Sequence, residues 1–138
     1  MDNKVTFRTF KEGDYEMCCD WWRWWWKGKI PVKKAFLPRD NRCFMIESNG
    51  IPVAASFLYT DELMGYLTWT VSNPKYRNPD RRQLLEFLIT KIEEEAKDVW
   101  GVKFLLTVCG NKHLEKMHRK LNWFVEDSAP SYECFKYL

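Results

Sequence analysis

No stretch of this 138-residue chain stays apolar for the roughly 18 to 20 residues that a membrane-spanning helix needs. The opening residues, MDNKVTFRTFKEGD, hold no apolar run of the kind a secretory signal carries. The expected location is therefore the cytoplasm, with no membrane partner. Cysteine is present but unpatterned. Cys18, Cys19, Cys43, Cys109 and Cys134 are odd in number, and no two have C-x-x-C spacing. That excludes a disulfide framework and a tetrahedral zinc site, so no metal is expected. The cysteines read as small core hydrophobes of a reducing compartment. An excess of one charge is also lacking. The net charge is +3, too small a field to draw nucleic acid.

What the chain does have is core-forming material. It is 46% hydrophobic and 30% charged, which places it among folded single domains, here residues 1–138. Its unusual feature is tryptophan. Five of the eight fall in the hexapeptide Trp21-Trp22-Arg23-Trp24-Trp25-Trp26. Two basic clusters stand out, Lys27, Lys29, Lys33 and Lys34, then Lys75, Arg77, Arg81 and Arg82. The first reads as a solvated loop. The second lies where a helix begins.

Residues 5–10 alternate as a first strand. Asp14 can cap a helix over 14–26, ended by Lys27-Gly28. Residues 29–41, with Pro31 and Pro38, form a connector with room for a short helix. Residues 43–47 and 53–59 are rich in β-formers, and Asn49-Gly50 between them is a hairpin signal. A turn at Asp61-Glu62 leads to a fourth strand over 66–72, broken by Asn73-Pro74. Asp80 can cap a helix over 81–98, whose Leu84, Leu85, Leu88, Ile92 and Ala96 recur at helical spacing. Gly101 ends it. Residues 104–108 read as a buried strand, reached by a right-handed crossover that makes it parallel to its neighbour. Asn111 opens a last helix to about residue 121, with Leu114, Met117, His118 and Leu121 on one face. Residues 123–125 and 131–137 finish as strands. The expected class is α/β (α+β), a mixed and mainly antiparallel sheet flanked by helices, in the order β-α-βββ-α-β-α-ββ.

The stretch Val71-Ser72-Asn73-Pro74-Lys75-Tyr76-Arg77, followed by a helix bearing Leu84-Leu85, resembles the GNAT N-acetyltransferases. These often follow their fourth strand with Pro-x-Tyr-Arg, a glycine-rich loop and a Leu-Leu helix. Near the end, Asn111, then His118, then Asn122-Trp123 stand where the family often has Asn, Tyr and Gly-Phe. Phe36-Leu37-Pro38, the hairpin, Phe57-Leu58-Tyr59 and Ser72-Asn73-Pro74 together resemble small GNAT proteins encoded by bacteriophages. The resemblance spans about residues 3 to 127.

It implies an acyl-CoA-dependent transfer of an acetyl group from acetyl-CoA to an amine. The main chain of Val71 and Ser72 would hold the pantetheine arm, and Arg77, Asn78, Arg81 and Arg82 the pyrophosphate. A helix start favours such an anion through its unpaired N–H groups and dipole. Asn111 would orient the cofactor, or simply cap its helix. His118 would be the general acid, a task its ordinary pKa suits, or a packed helix residue. The chain departs from the family in two ways. Residues 76–82 contain no glycine, and the fourth strand offers Thr68, Trp69 and Thr70 but no carboxylate to act as base.

At about 100° per residue, Trp21, Trp22, Trp25 and Trp26 span an arc of about 140°, and Trp24 widens it to about 200°. A core-facing stripe needs little more than about 100°. One or two indoles therefore exceed what the core covers, while Asp20 and Arg23 mark the solvent side. Trp22, Trp24, Trp25 and Trp26 could wall an acceptor site, form a homo-oligomer or partner contact, or finish an aromatic core edge. A catalytically silent interaction or structural protein acting through this helix is the alternative to the enzyme.

Overall fold

The computed structural model describes residues 4–27, 30–109 and 112–125. The chain divides into two compact units, residues 1–108 and 109–138. In the first, β1 (Val5–Thr9), β2 (Cys43–Ser48), β3 (Ile51–Asp61) and β4 (Met64–Ser72) pair antiparallel in sequence order. Strand β5 (Phe104–Thr107) then pairs parallel to β4. Helix α1 (Asp14–Trp26) follows β1, and helix α2 (Arg81–Asp98) makes the crossover between β4 and β5. A single 3-10 turn, Lys34–Phe36, sits in the connector after α1. The β2–β3 turn is Asn49-Gly50, both at positive φ (52° and 80°), as a two-residue hairpin turn demands.

The helices lie on opposite faces of the sheet. Alternation sends Met45, Ala55, Phe57 and Val71 to the face where they join Cys18, Cys19, Trp21 and Trp22 of α1 in one core cluster. Their neighbours Phe44, Ile46, Ala54 and Leu58 are buried on the other face, which α2 crosses from β1 to β3 with Leu84, Leu88, Ile89 and Ile92 inward. Gly65 lets β5 approach β4. A Cβ there would stand 3.1 Å from Leu105 Cδ1 and 3.3 Å from Val102 Cγ1.

Several local expectations are corrected. Asp14 is not the cap of α1; that position is Gly13, at φ 92°. Asp14 is the first helical residue and is fully buried, because Arg8 Nη1 donates to its Oδ2 at 2.6 Å and the Lys11 N–H at 2.8 Å. Arg8 also reaches Glu47 at 3.2 Å. Burial alone would raise the Asp14 pKa. The Arg8 hydrogen bond, the Lys11 N–H and the guanidinium charge outweigh it and hold the carboxylate below its ordinary range. Asp80 precedes α2 without side-chain capping, since its Oδ1 accepts from the Tyr76 hydroxyl at 2.8 Å. Strand β5 is not buried. Phe104 and Leu106 stand exposed, while Leu105 and Thr107, alternating with them, are half-buried.

In the second unit, α3 (Lys112–Lys120) buries Met117 and His118. Residues 123–125 are not a strand. Asn122 turns left-handed (φ 68°) and the Trp123 N–H returns to the His118 carbonyl at 2.9 Å, a helix-ending bond that stops any extension. Asn111 and the strand expected over 131–137 lie outside the described residues.

Candidate functional site

Parallel pairing of β4 with β5 ends at Leu67 and Thr107, yet β4 runs on to Ser72. Residues 68–72 thus have β3 on one side and no strand on the other among the described residues. The divergence has a local cause. Opposite Ser56 of β3 the register slips, and the extra residue on β4 is Trp69, held at φ 58°. A left-handed non-glycine residue at a bulge bends the strand and costs of the order of 1 kcal/mol or more. The surroundings hold it there. Trp69 Nε1 donates to the Tyr59 hydroxyl at 3.2 Å, and its carbonyl accepts from Trp22 Nε1 at 3.2 Å.

Past the bulge, the Asn73 N–H goes to the Val53 carbonyl on β3 at 2.7 Å. Antiparallel alternation then turns the polar groups of Val71 toward β3 and those of Ser72 toward the open edge. The Ser72 carbonyl there accepts from Trp25 Nε1 at 2.8 Å. Trp22 and Trp25, one turn apart on α1, thus reach two carbonyls of the diverging strand. Trp26 is half-buried, 5.8 Å from Trp22 and 6.1 Å from Trp69 between ring centres. Trp24 and Trp25 stay 48% and 45% exposed, the two indoles beyond what the core covers.

The segment from Asn73 to α2 needs no glycine, because none of its residues is at positive φ. Asn73 organises it. Its Oδ1 accepts the Lys75 N–H, its carbonyl the Tyr76 N–H, and its Nδ2 donates to Pro52. Tyr76 is buried, while Arg77, Asn78, Arg81 and Arg82 are exposed around the start of α2. The Arg77 guanidinium lies over the Trp24 ring, 5.8 Å from its centre. Arg81 and Arg82 form no salt bridge among the described residues.

In the second unit, His118 is buried. Its Nδ1 lies 2.7 Å from the Leu114 carbonyl and 3.4 Å from Cys109 Sγ. A carbonyl can only accept, so Nδ1 carries a hydrogen. Nε2 is buried with no hydrogen-bond partner among the described residues. The Trp123 indole packs edge-on against the imidazole at 4.9 Å. Burial pushes the Cys109 thiol pKa up, the opposite of an activated thiolate.

No protein-family profile and no curated protein matches the chain in sequence. Solved structures do match in shape. A Thermus thermophilus protein superposes with a TM-score of 0.68 at 18% identity, over 96% of this chain and 98% of its own. Aminoglycoside N-acetyltransferase AAC(6')-Iy in complex with CoA gives 0.66 at 12%, over 97% of each. A predicted acetyltransferase from Clostridium acetobutylicum, solved with acetyl-CoA, gives 0.62 at 14%, over 94% and 96%. The chain has the GNAT fold. At these identities the likeness concerns fold alone.

Within this GNAT fold, Ser72, Arg77, Asn78, Arg81 and Arg82 fall together where β4 leaves the sheet and α2 begins. Val71 contributes its side chain to the core beneath. Sequence reasoning missed the bond from Trp25 to Ser72 and the packing of Trp24 on Arg77. Helical periodicity ranks indoles by face but does not say which main-chain group an indole N–H will meet. The signal that was available is the early break at Asn73-Pro74, which leaves the end of β4 without a continuing partner.

Proposed function

We propose that this chain is an acyl-CoA-dependent N-acetyltransferase, a single domain over residues 1–138, acting in the cytoplasm on an amine acceptor. The observation that carries the reading is the bulge at Trp69, which opens β4 beside Ser72 in a GNAT fold whose solved relatives include proteins bound to CoA and acetyl-CoA. The donor set fits such a cofactor. Arg77, Arg81 and Arg82 supply guanidinium groups for a pyrophosphate, and the first turn of α2 adds main-chain N–H groups. The Asp80 carboxylate, the one charge of the wrong sign, is engaged by Tyr76.

Acetyl-CoA supplies an activated thioester that an amine attacks directly, so no protein nucleophile is required. Arg77, Asn78, Arg81 and Arg82 bind and orient, and Ser72 offers its main chain to an amide-bearing arm. Asn111, outside the described residues, would orient the cofactor in this reading. His118 is the general acid of this reading: its Nδ1 hydrogen is committed to the Leu114 carbonyl, so the proton passed to the departing thiolate would be a second one, carried on Nε2 of the imidazolium. Strand β4 provides no carboxylate base, so the amine arrives neutral or loses its proton to water.

Titration calorimetry with acetyl-CoA tests the reading. The wild-type chain should bind one equivalent. Arg81→Glu combined with Arg82→Glu should weaken binding at least about tenfold, or about 1.4 kcal/mol, without lowering the melting temperature of the free protein. Unchanged affinity in that double variant rejects the site.

A second reading rests on the exposure of Trp24 and Trp25. It is a GNAT-fold interaction protein without turnover, of the bacteriophage-encoded kind the sequence resembles, with the indoles as the centre of a self-contact or partner contact.

A further inference from the structure

The outward carbonyl of Ser72 is the group an extended, amide-bearing ligand would need in order to lie along the open edge of β4 as an added strand. That carbonyl is taken. Trp25 Nε1 donates to it at 2.8 Å. The indole is not locked in the core by packing. It is 45% exposed, and its ring neighbour Trp24, edge-on at 4.6 Å, is itself half-exposed. The corresponding bond one turn earlier differs in kind. Trp22, which reaches the Trp69 carbonyl, is fully buried against Phe57 and cannot turn away without opening the core.

We infer that Trp25 gates the cofactor arm, closing the edge of β4 by holding the Ser72 carbonyl and yielding that carbonyl to an amide N–H of the arm on binding. The inference rests on the acyl-CoA reading above. Two observations separate a gate from a structural strut. The Trp25 bond joins an exposed donor to an edge group that has no strand partner among the described residues. Trp25 is also not among the side chains packed against the core cluster that holds Trp21 and Trp22. The closed form lowers apparent affinity by the fraction of molecules in it. The cation–π contact of Trp24 with Arg77 places the same helical turn beside a phosphate-binding candidate, so arm and phosphates are sensed by adjacent residues.

Trp25→Phe keeps a ring and removes the N–H. Calorimetric titration of CoA into wild type and Trp25→Phe should show binding about 2- to 10-fold tighter in the variant, the range expected when one competing hydrogen bond is deleted. Equal or weaker binding by the variant, with wild type still binding, overturns the gate and leaves the acyl-CoA reading intact. Absence of binding by both proteins overturns the acyl-CoA reading and the gate with it. A wild-type measurement guards against a misfolded variant. In a 15N–1H spectrum the Trp25 indole N–H should shift and lose its protection from solvent exchange on saturation with CoA, while the Trp22 indole stays in place. A Trp25 indole that keeps its shift and protection in the saturated complex overturns the gate.

Discussion

The two faces of the sheet are built from different chemistry. Under α2, the contact is apolar, made by Leu84, Leu88, Ile89 and Ile92 on Phe44, Ile46, Ala54 and Leu58, with one hydroxyl pair, Ser56 and Thr70. Under α1, the apolar packing is joined by a set of directional bonds. Arg8, Asp14 and Glu47 form an ionic knot at one end. Tyr15 donates to the Val32 carbonyl, Tyr59 to that of Phe36, and Trp22 and Trp25 to carbonyls of β4. Apolar contact is tolerant of shape, whereas these bonds specify where each group must be. The first face holds the sheet together, and the second aims α1 at the bulge where β4 opens.

If that division is right, the two faces should fail differently. Leu88 is fully buried at the centre of α2, and Leu88→Ala should destabilise by about 3 to 4 kcal/mol through lost burial and a residual cavity. Its affinity for acetyl-CoA, measured well below its melting temperature, should stay within twofold of wild type. A large loss of affinity would mean that α2 packing also shapes the site, and the contrast between the faces would collapse.

The ionic knot tests the other face. Asp14→Asn removes the closer of the two carboxylates that neutralise the half-buried Arg8, leaving Glu47 at 3.2 Å, and should cost about 3 kcal/mol near pH 7. The sign of the pH effect follows from the depressed carboxylate. The unfolded chain binds the proton more readily than the folded one. The knot's contribution is therefore complete above the ordinary Asp pKa of about 3.9 and is lost as pH falls through the lower folded value. Urea unfolding from pH 6 down to pH 2 should show wild type and Asp14→Asn converging in stability at the acid end. Parallel curves would show that Asp14 does not titrate with folding.

Much of this was legible from the sequence, and the reasons are physical. The spans of α1 and α2 were expected as found, because a strong helical period and a turn signal at each end coincide there. The hairpin at Asn49-Gly50 was readable because few residues tolerate positive φ twice in succession. Side-chain bonds formed over long separations were not readable. Asp14 looked like a cap because capping is the common local use of an aspartate at that position, and nothing nearby announces that Arg8 will claim it. The exposure of β5 was hidden for a similar reason. A run of apolar residues says that a strand wants cover, not which of its faces receives it. The absence of glycine after β4 seemed to oppose a phosphate loop, yet Asn73 builds the turn by hydrogen bonding with every residue at negative φ.

The smallest effect is expected at the open end of α1. Trp24 is half-exposed, lies edge-on to Trp25 and carries Arg77 over its face. A cation–π contact at such a site contributes about 0.5 to 1 kcal/mol, so Trp24→Ala should lower stability by no more than about 1 kcal/mol. That is several times less than Asp14→Asn at the other end of the same helix, although tryptophan is the larger side chain. The variant also separates the two readings of the aromatic surplus. If the indoles serve the cofactor, Trp24→Ala should behave as wild type in sedimentation and lose about two- to threefold in acetyl-CoA affinity as Arg77 loses its support. If they serve a contact between proteins, a wild-type oligomer should dissociate in the variant while acetyl-CoA affinity stays unchanged, since the centre of such an interface carries most of its binding energy.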